Sequence, residues 1–168
     1  MGSDFKDKVV GVTGAASVKG IGFAIAKKFL ESGAKVFICD LNSKALEEAT
    51  AQLMSYGQVN SYVLDVGNEE AVVTMFSKAH EYYGKIDIFV NNAGIYPQCP
   101  ICEMDVKQWD LTMNVNVKSV FLCAREAYKY MKNTGGVIIN AASYAALIGS
   151  AGSGAYAASK SAEPINAA

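Results

Sequence analysis

The hydrophobic period of this chain switches repeatedly between short β-type runs and longer helical stripes, an order that few architectures accept. Val9-Val10-Gly11-Val12 is the first run and ends in Thr13-Gly14. Ala34 to Cys39 forms the second, Tyr62-Val63-Leu64 lies in the third, Ile86 to Val90 is the fourth and Val137-Ile138-Ile139 the fifth. Runs this apolar suit parallel strands covered on both faces. Between them, Ile25, Phe29 and Leu30 share a helical face that Gly33 is placed to stop. Leu46, Ala49 and Leu53 make a second stripe, and Val72, Phe76, Ala79 and Tyr83 a third. The longest stripe joins Trp109, Met113, Val117, Val120, Phe121, Ala124, Tyr128 and Met131, and Gly135-Gly136 ends it. Such alternation predicts an α/β fold, a doubly wound parallel sheet with right-handed crossovers. No repeat, linker or charge block divides residues 1–168, so one domain is expected. Gly154 to Lys160 reads as a further helix that Pro164 would break at once, which predicts a sheet incomplete at its C-terminus.

Composition narrows the function classes. The 168 residues are 51% apolar, enough for a real core and too apolar for a disordered chain. Fifteen basic and 16 acidic side chains give a net charge of −1, so no basic footprint for nucleic acid or an anionic membrane exists. Four cysteines do not amount to a disulfide framework, and the start MGSDFKDKVV lacks a cationic and apolar signal region. Lys6 stands where a myristoylation motif wants Ser or Thr. The charge-free stretch between Lys132 and Lys160 is too rich in Gly, Ser and Ala to span a bilayer. A cytoplasmic location is expected, with no nucleic-acid or membrane partner.

Three places carry chemistry. Thr13 to Gly22 is a glycine-rich turn between the first strand and the first helix, suited to a pyrophosphate on a helix N-terminus. The plainer alternative is an ordinary βα turn, and no Gly-Lys-Ser/Thr closes it as a P-loop. Asp40 closes the second strand, where an acid can accept hydrogen bonds from an adenosine ribose and repel a 2′-phosphate. NAD is therefore favoured over NADP, although Lys19 in the turn could greet that phosphate. Asn91-Asn92-Ala93-Gly94 follows the fourth strand, at the carboxyl edge where such sheets bind ligands. Finally, Ser143 ends the fifth strand, and Tyr156 and Lys160 lie one helical turn apart on the following segment. A tyrosine, with a reference pKa of about 10, needs a neighbouring cation to shuttle protons at neutral pH, and an i, i+4 lysine can supply it.

Taken together, Thr13-Gly14…Gly20-Ile21-Gly22, Asn91-Asn92-Ala93-Gly94 and Ser143…Tyr156-Ala157-Ala158-Ser159-Lys160 resemble the short-chain dehydrogenase/reductase family, with a Rossmann-like sheet. The resemblance covers essentially the whole chain. It implies an oxidoreductase interconverting a secondary alcohol and a ketone, with Tyr156 as general acid/base. Lys160 would bind the nicotinamide ribose and favour the phenolate, Ser143 would hydrogen-bond the reacting oxygen, and Asn116 would hold a water in a proton relay. It also implies that Gly14, Gly20, Ile21 and Gly22 surround the pyrophosphate and that Asp40 meets the adenosine ribose. Asp65 and Val66 would contact adenine, while Asn92, Ala93 and Gly94 would line the cofactor and brace the sheet.

Two departures from the family stand out. Five residues separate Gly14 from Gly20, where the family has three. The chain is also shorter than the family's members, so the last strands and the substrate-covering loop would be absent and homo-oligomerisation through the Tyr–Lys helix impaired. The alternatives are an NADP-dependent ketoreductase of the same family and a non-catalytic, truncated nucleotide-binding fragment. Cys99-Pro100-Ile101-Cys102 has the spacing of a redox or half-zinc motif. It lies in a loop after the fourth strand with no second pair, so it reads as incidental or as lining of the substrate side, and no metal site is expected. His80 reads as a surface residue and Trp109 as core.

Overall fold

The computed structural model describes residues 4–162, and Pro164 lies outside them. Five strands form one all-parallel sheet in the order β3-β2-β1-β4-β5. They are β1 (Val9–Thr13), β2 (Lys35–Asp40), β3 (Val59–Val63), β4 (Ile88–Asn91) and β5 (Val137–Asn140). The helices are α1 (Ile21–Glu31), α2 (Ser43–Leu53), α3 (Glu69–Tyr83), α4 (Val106–Met113), α5 (Ser119–Met131) and α6 (Gly154–Ser161). Boundaries differ from the apolar runs by a few residues, most at β3, which starts three residues before Tyr62.

Alternation along each strand sends side chains to two separate cores. Val10, Val12, Val36, Ile38 and Val90 pack under α1 and α2 against Phe23, Leu30, Leu46 and Leu53. Val9, Phe37, Cys39 and Phe89 face the other way, against Phe76 of α3 and Leu122, Cys123 and Ala127 of α5. Gly11, in the middle of β1, is where Phe37 and Phe89 close in; an added Cβ would stand 2.4 Å from Phe37 Cζ. Coverage on both faces holds for β1, β2 and β4 and fails at the edges. Val63 of β3 and Val137 and Ile139 of β5, on the two edge strands, are exposed.

The longest stripe is not one α-helix. A π-helical turn, Asn114–Lys118, joins α4 to α5. The buried face runs through Thr112, Asn116, Ser119, Val120, Cys123, Ala127 and Met131, whereas Phe121 and Tyr128 are exposed and Trp109 is only half-buried. Close packing against the sheet favours small side chains, so residues of modest apolarity occupy the inner face and aromatics the outer one. His80 is exposed, its ring 4.9 Å from that of Tyr130.

Candidate active site

The connections leave β1 toward β2 and β3 on one side and return to β4 and β5 on the other, so the strand order reverses between β1 and β4. A crevice at the carboxyl ends of such strands is where open α/β sheets bind ligands. Thr13 ends β1 there, and its Oγ1 accepts from Asn92 N–H at 3.0 Å and Ala93 N–H at 2.9 Å. Asn92 Nδ2 donates back to the carbonyls of Thr13 at 2.9 Å and Gly14 at 3.1 Å. These bonds lock the start of the glycine-rich turn to the end of β4. Thr13 was legible only as part of the motif; its bracing role needed β1 and β4 side by side.

The turn has little room for side chains. Gly14 has φ +67°, and a Cβ there would lie 2.7 Å from Ala93 Cα. A Cβ on Gly22 would lie 2.5 Å from Gly14 O and 2.7 Å from Asn92 Nδ2. The two extra residues are absorbed outward: Gly20 N–H bonds to Ser17 O at 2.7 Å, closing a turn in which Ser17, Val18 and Lys19 are exposed. Ala15 and Ala16 stay buried beneath it. Gly20 caps α1, so the longer spacing still delivers a helix N-terminus to the crevice, with Ile21 exposed on its first turn.

A cavity of about 160 Å³ opens beside this turn, lined in part by Gly14, Asp40, Asp65, Val66, Ala93 and Gly94. Leu41, Leu64, Ile95 and Val115 also line it, and nothing in their sequence context marked them. Asp40 holds its carboxylate at the rim by accepting from Ala16 N–H at 3.1 Å and Asn42 N–H at 3.2 Å. Asp65 Oδ1 accepts from Gly67 N–H at 2.8 Å, shaping the turn after Leu64. Next to Asp40, the fully buried thiol of Cys39 is pushed well up by burial, then by Cys123 and Asp40 nearby.

Ser143 does not end β5; it follows three residues later, where its Oγ accepts from Ala145 N–H at 3.2 Å and caps a short 3-10 turn, Tyr144–Ala146. Tyr156 and Lys160 share a face of α6. Lys160 is 6% exposed, and its ammonium donates to Ala141 O at 2.7 Å and lies 5.9 Å from the Tyr156 ring centroid. It also comes within 3.9 Å of where a Gly94 Cβ would stand. The Tyr96 ring packs 4.6 Å from that of Tyr156.

Asn116 sits in the π turn with no exposed surface. Its Oδ1 accepts from Ile95 N–H at 2.8 Å, and Nδ2 donates to Ile95 O and Ser159 Oγ, each at 2.9 Å. A side chain read from sequence as a water holder thus also ties the segment after β4 to α6. Asn114, two residues earlier in the same π turn, packs toward Gly67. Among the described residues no cluster of three His, Cys, Asp or Glu could hold a metal ion, and no helix is long and apolar enough to cross a membrane.

Residues 8–163 match the short chain dehydrogenase family profile. The chain is 43% identical over 153 residues to 3beta-hydroxysteroid dehydrogenase 2 of Eggerthella lenta, covering 89% of this chain and 58% of that protein. Among solved structures, NAD+-bound xylitol dehydrogenase superposes with a TM-score of 0.90 at 33% identity, over 95% of this chain and 62% of that one. A short chain dehydrogenase from Burkholderia cenocepacia J2315 in complex with NADP gives 0.86 at 30% identity, over 94% and 64%. The chain therefore spans about three-fifths of the length of these relatives. Strand order, glycine-rich turn and the Tyr–Lys helix agree with the sequence match, and the chain belongs to the short chain dehydrogenase family.

Proposed function

We propose that residues 1–168 form the dinucleotide-binding and proton-transferring domain of a cytoplasmic oxidoreductase that interconverts a secondary alcohol and a ketone. The observation that carries this reading is the buried Lys160 ammonium beside Tyr156, at the carboxyl edge of the sheet. Burying a lysine is costly, and a catalytic pair is a good reason to do so. The cradle fits a dinucleotide: Gly14 and Gly22 stand where side chains would collide, Gly20 opens a helix N-terminus, and Asp40, Asp65 and Val66 line the adjoining cavity. Ile21 would border the pyrophosphate on the same turn, and Asn92, Ala93 and Gly94 the nicotinamide side.

The chemistry follows from these residues. When bound, the nicotinamide supplies or takes the hydride. Tyr156 Oη gives a proton to the carbonyl oxygen or takes one from the hydroxyl. Lys160 holds positive charge beside that phenol and can donate to the nicotinamide ribose. Ser143 Oγ hydrogen-bonds the same reacting oxygen and keeps it in line with Tyr156. Asn116 positions the loop and α6, and the second acceptor site of its Oδ1 suits a relay water.

Asp40 favours NAD, because its carboxylate accepts from a ribose hydroxyl and repels a 2′-phosphate. NADP is the second reading, favoured by the exposed Lys19 one residue before Gly20. Titration with NADH and NADPH, followed by reduced-nicotinamide fluorescence, separates the two. NADH binds more tightly if Asp40 governs, and Asp40→Ala then narrows the preference. Tyr156→Phe retains NADH binding and lowers turnover of a secondary alcohol by roughly 10²- to 10⁴-fold. Saturable binding of neither nucleotide overturns the proposal.

A further inference from the structure

We propose that Cys99 and Cys102 form a dithiol/disulfide site that controls how the loop after β4 holds the segment leading into α6. Of the four cysteines, Cys39 and Cys123 are buried in the sheet and α5, while Cys99 is half-buried and Cys102 exposed. Only the latter two meet a soluble oxidant without unfolding. They flank Pro100-Ile101, and proline is favoured at the second position of a β-turn, so the spacing suits closure across 99–102. In the reduced chain the turn is set one residue later. Glu103 N–H and Met104 N–H both bond to Pro100 O, at 2.9 and 3.1 Å, and the Cys99 thiol lies 3.5 Å from the same carbonyl. Bridging Cys99 to Cys102 asks for a turn one position earlier.

That shift bears on α6 through three contacts. Cys99 N–H donates to Gly152 O at 2.9 Å. Gly152 has φ +77°, and a Cβ there would meet Gln98 Cγ at 3.1 Å. The Ile101 side chain lies 3.3 Å from where a Gly154 Cβ would stand, and Gly154 starts the helix that carries Tyr156. Three residues before Cys99, Tyr96 packs on the Tyr156 ring. Re-registering the turn therefore pulls on both ends of one short lever. Its consequence for turnover rests on the dehydrogenase reading; the disulfide and the loop movement do not.

The chemistry balances with a small disulfide such as oxidised glutathione as oxidant. The exposed Cys102 thiolate attacks one glutathione sulfur, forming a mixed disulfide and releasing one glutathione thiolate. The Cys99 thiolate then attacks the Cys102 sulfur, closing the protein disulfide and expelling the second glutathione. Two protein thiol protons pass to the two glutathiones, and the oxidant's disulfide is reduced.

The test equilibrates the chain with oxidised and reduced glutathione, traps thiols by alkylation and locates disulfides by peptide mass. Hydrogen exchange is then compared between the two states. The expected result is loss of two hydrogens in the peptide carrying residues 99–102, with no glutathione retained. Exchange of the Cys99 amide, and of the peptide spanning 150–156, rises about fivefold, the net worth of one hydrogen bond. Cys102→Ser abolishes both changes. Mixed glutathione adducts that never resolve, or a disulfide that leaves exchange across 150–156 unchanged, overturn the proposal. Neither readout depends on nucleotide binding or turnover.

Discussion

Replacing Asn116 with alanine tests how this site is held together. The side chain makes three hydrogen bonds, two to the Ile95 backbone and one to Ser159 Oγ, in a setting without solvent exposure. Each such bond contributes about 1 kcal/mol net, and losing a partner leaves the buried group to bear its desolvation cost. Ser159 Oγ keeps its own donation to Tyr156 O, so it loses least. Ile95 loses partners for both its N–H and its C=O. The sum is about 3 kcal/mol of destabilisation, or a fall in Tm of roughly 10 °C for a chain of this size. Urea denaturation followed by circular dichroism measures it, with Ser159→Ala as the comparison, since that variant removes the shared bond while leaving Ile95 satisfied. Ser159→Ala also loses the Oγ donation to Tyr156 O, so Asn116→Ala should cost about 1 kcal/mol more than Ser159→Ala. If the two variants unfold at the same urea concentration, Asn116 is not the brace described here.

Other perturbations follow the same geometry. Gly22→Ala forces a Cβ against Gly14 O and Asn92 Nδ2, so NADH affinity in a fluorescence titration should fall by at least roughly tenfold, equivalent to about 1.4 kcal/mol. Gly11→Ala drives a methyl into the Phe37 and Phe89 rings and should cost about 1–3 kcal/mol in urea denaturation, without altering the residues around the nucleotide. Burial pushes the Asp87 carboxyl up, but the Val9 N–H and the Lys85 and Lys8 ammoniums outweigh it and hold the group below the ordinary carboxylate range. Its folded form therefore binds its proton less readily than the unfolded chain. That contribution is complete above the unfolded pKa of about 3.9 and is lost as pH falls through the lower folded value. The stability gap between the parent chain and Asp87→Asn should accordingly shrink between neutral pH and acid, as read by urea midpoints; a gap that widens in acid refutes the assignment.

Much of the fold was legible in sequence because its signals are local. Apolar runs of strand length separated by helical stripes specify βα units, and handedness then restricts how they wind. The glycine-rich turn, Asp40 and Asn92 stand out in sequence because each lies within a few residues of a strand end, and the Tyr156–Lys160 pair because it spans a single helical turn. The helix between Val106 and Met131 was read less well. Apolarity ranks Phe121 and Tyr128 above Thr112 and Asn116, yet the sheet accepts the smaller side chains and turns the aromatics outward. The edges of the sheet were misread for a related reason: Val63 and Ile139 have interior chemistry, but their cover depends on which helices reach that far.

Sequence alone determined the parallel α/β order, the glycine-rich turn and the spacing of Tyr156 and Lys160, because these depend on neighbours along the chain. Tertiary structure decided the rest. It brought Thr13 to Asn92 across 79 residues, Asn116 to Ser159 across 43 and Lys160 to Ala141 across 19. It also turned a CPIC loop toward the helix that bears Tyr156. Such contacts join segments whose sequences carry no mark of one another, since a hydrogen bond between distant elements is specified by where the whole sheet and its helices bring two backbones.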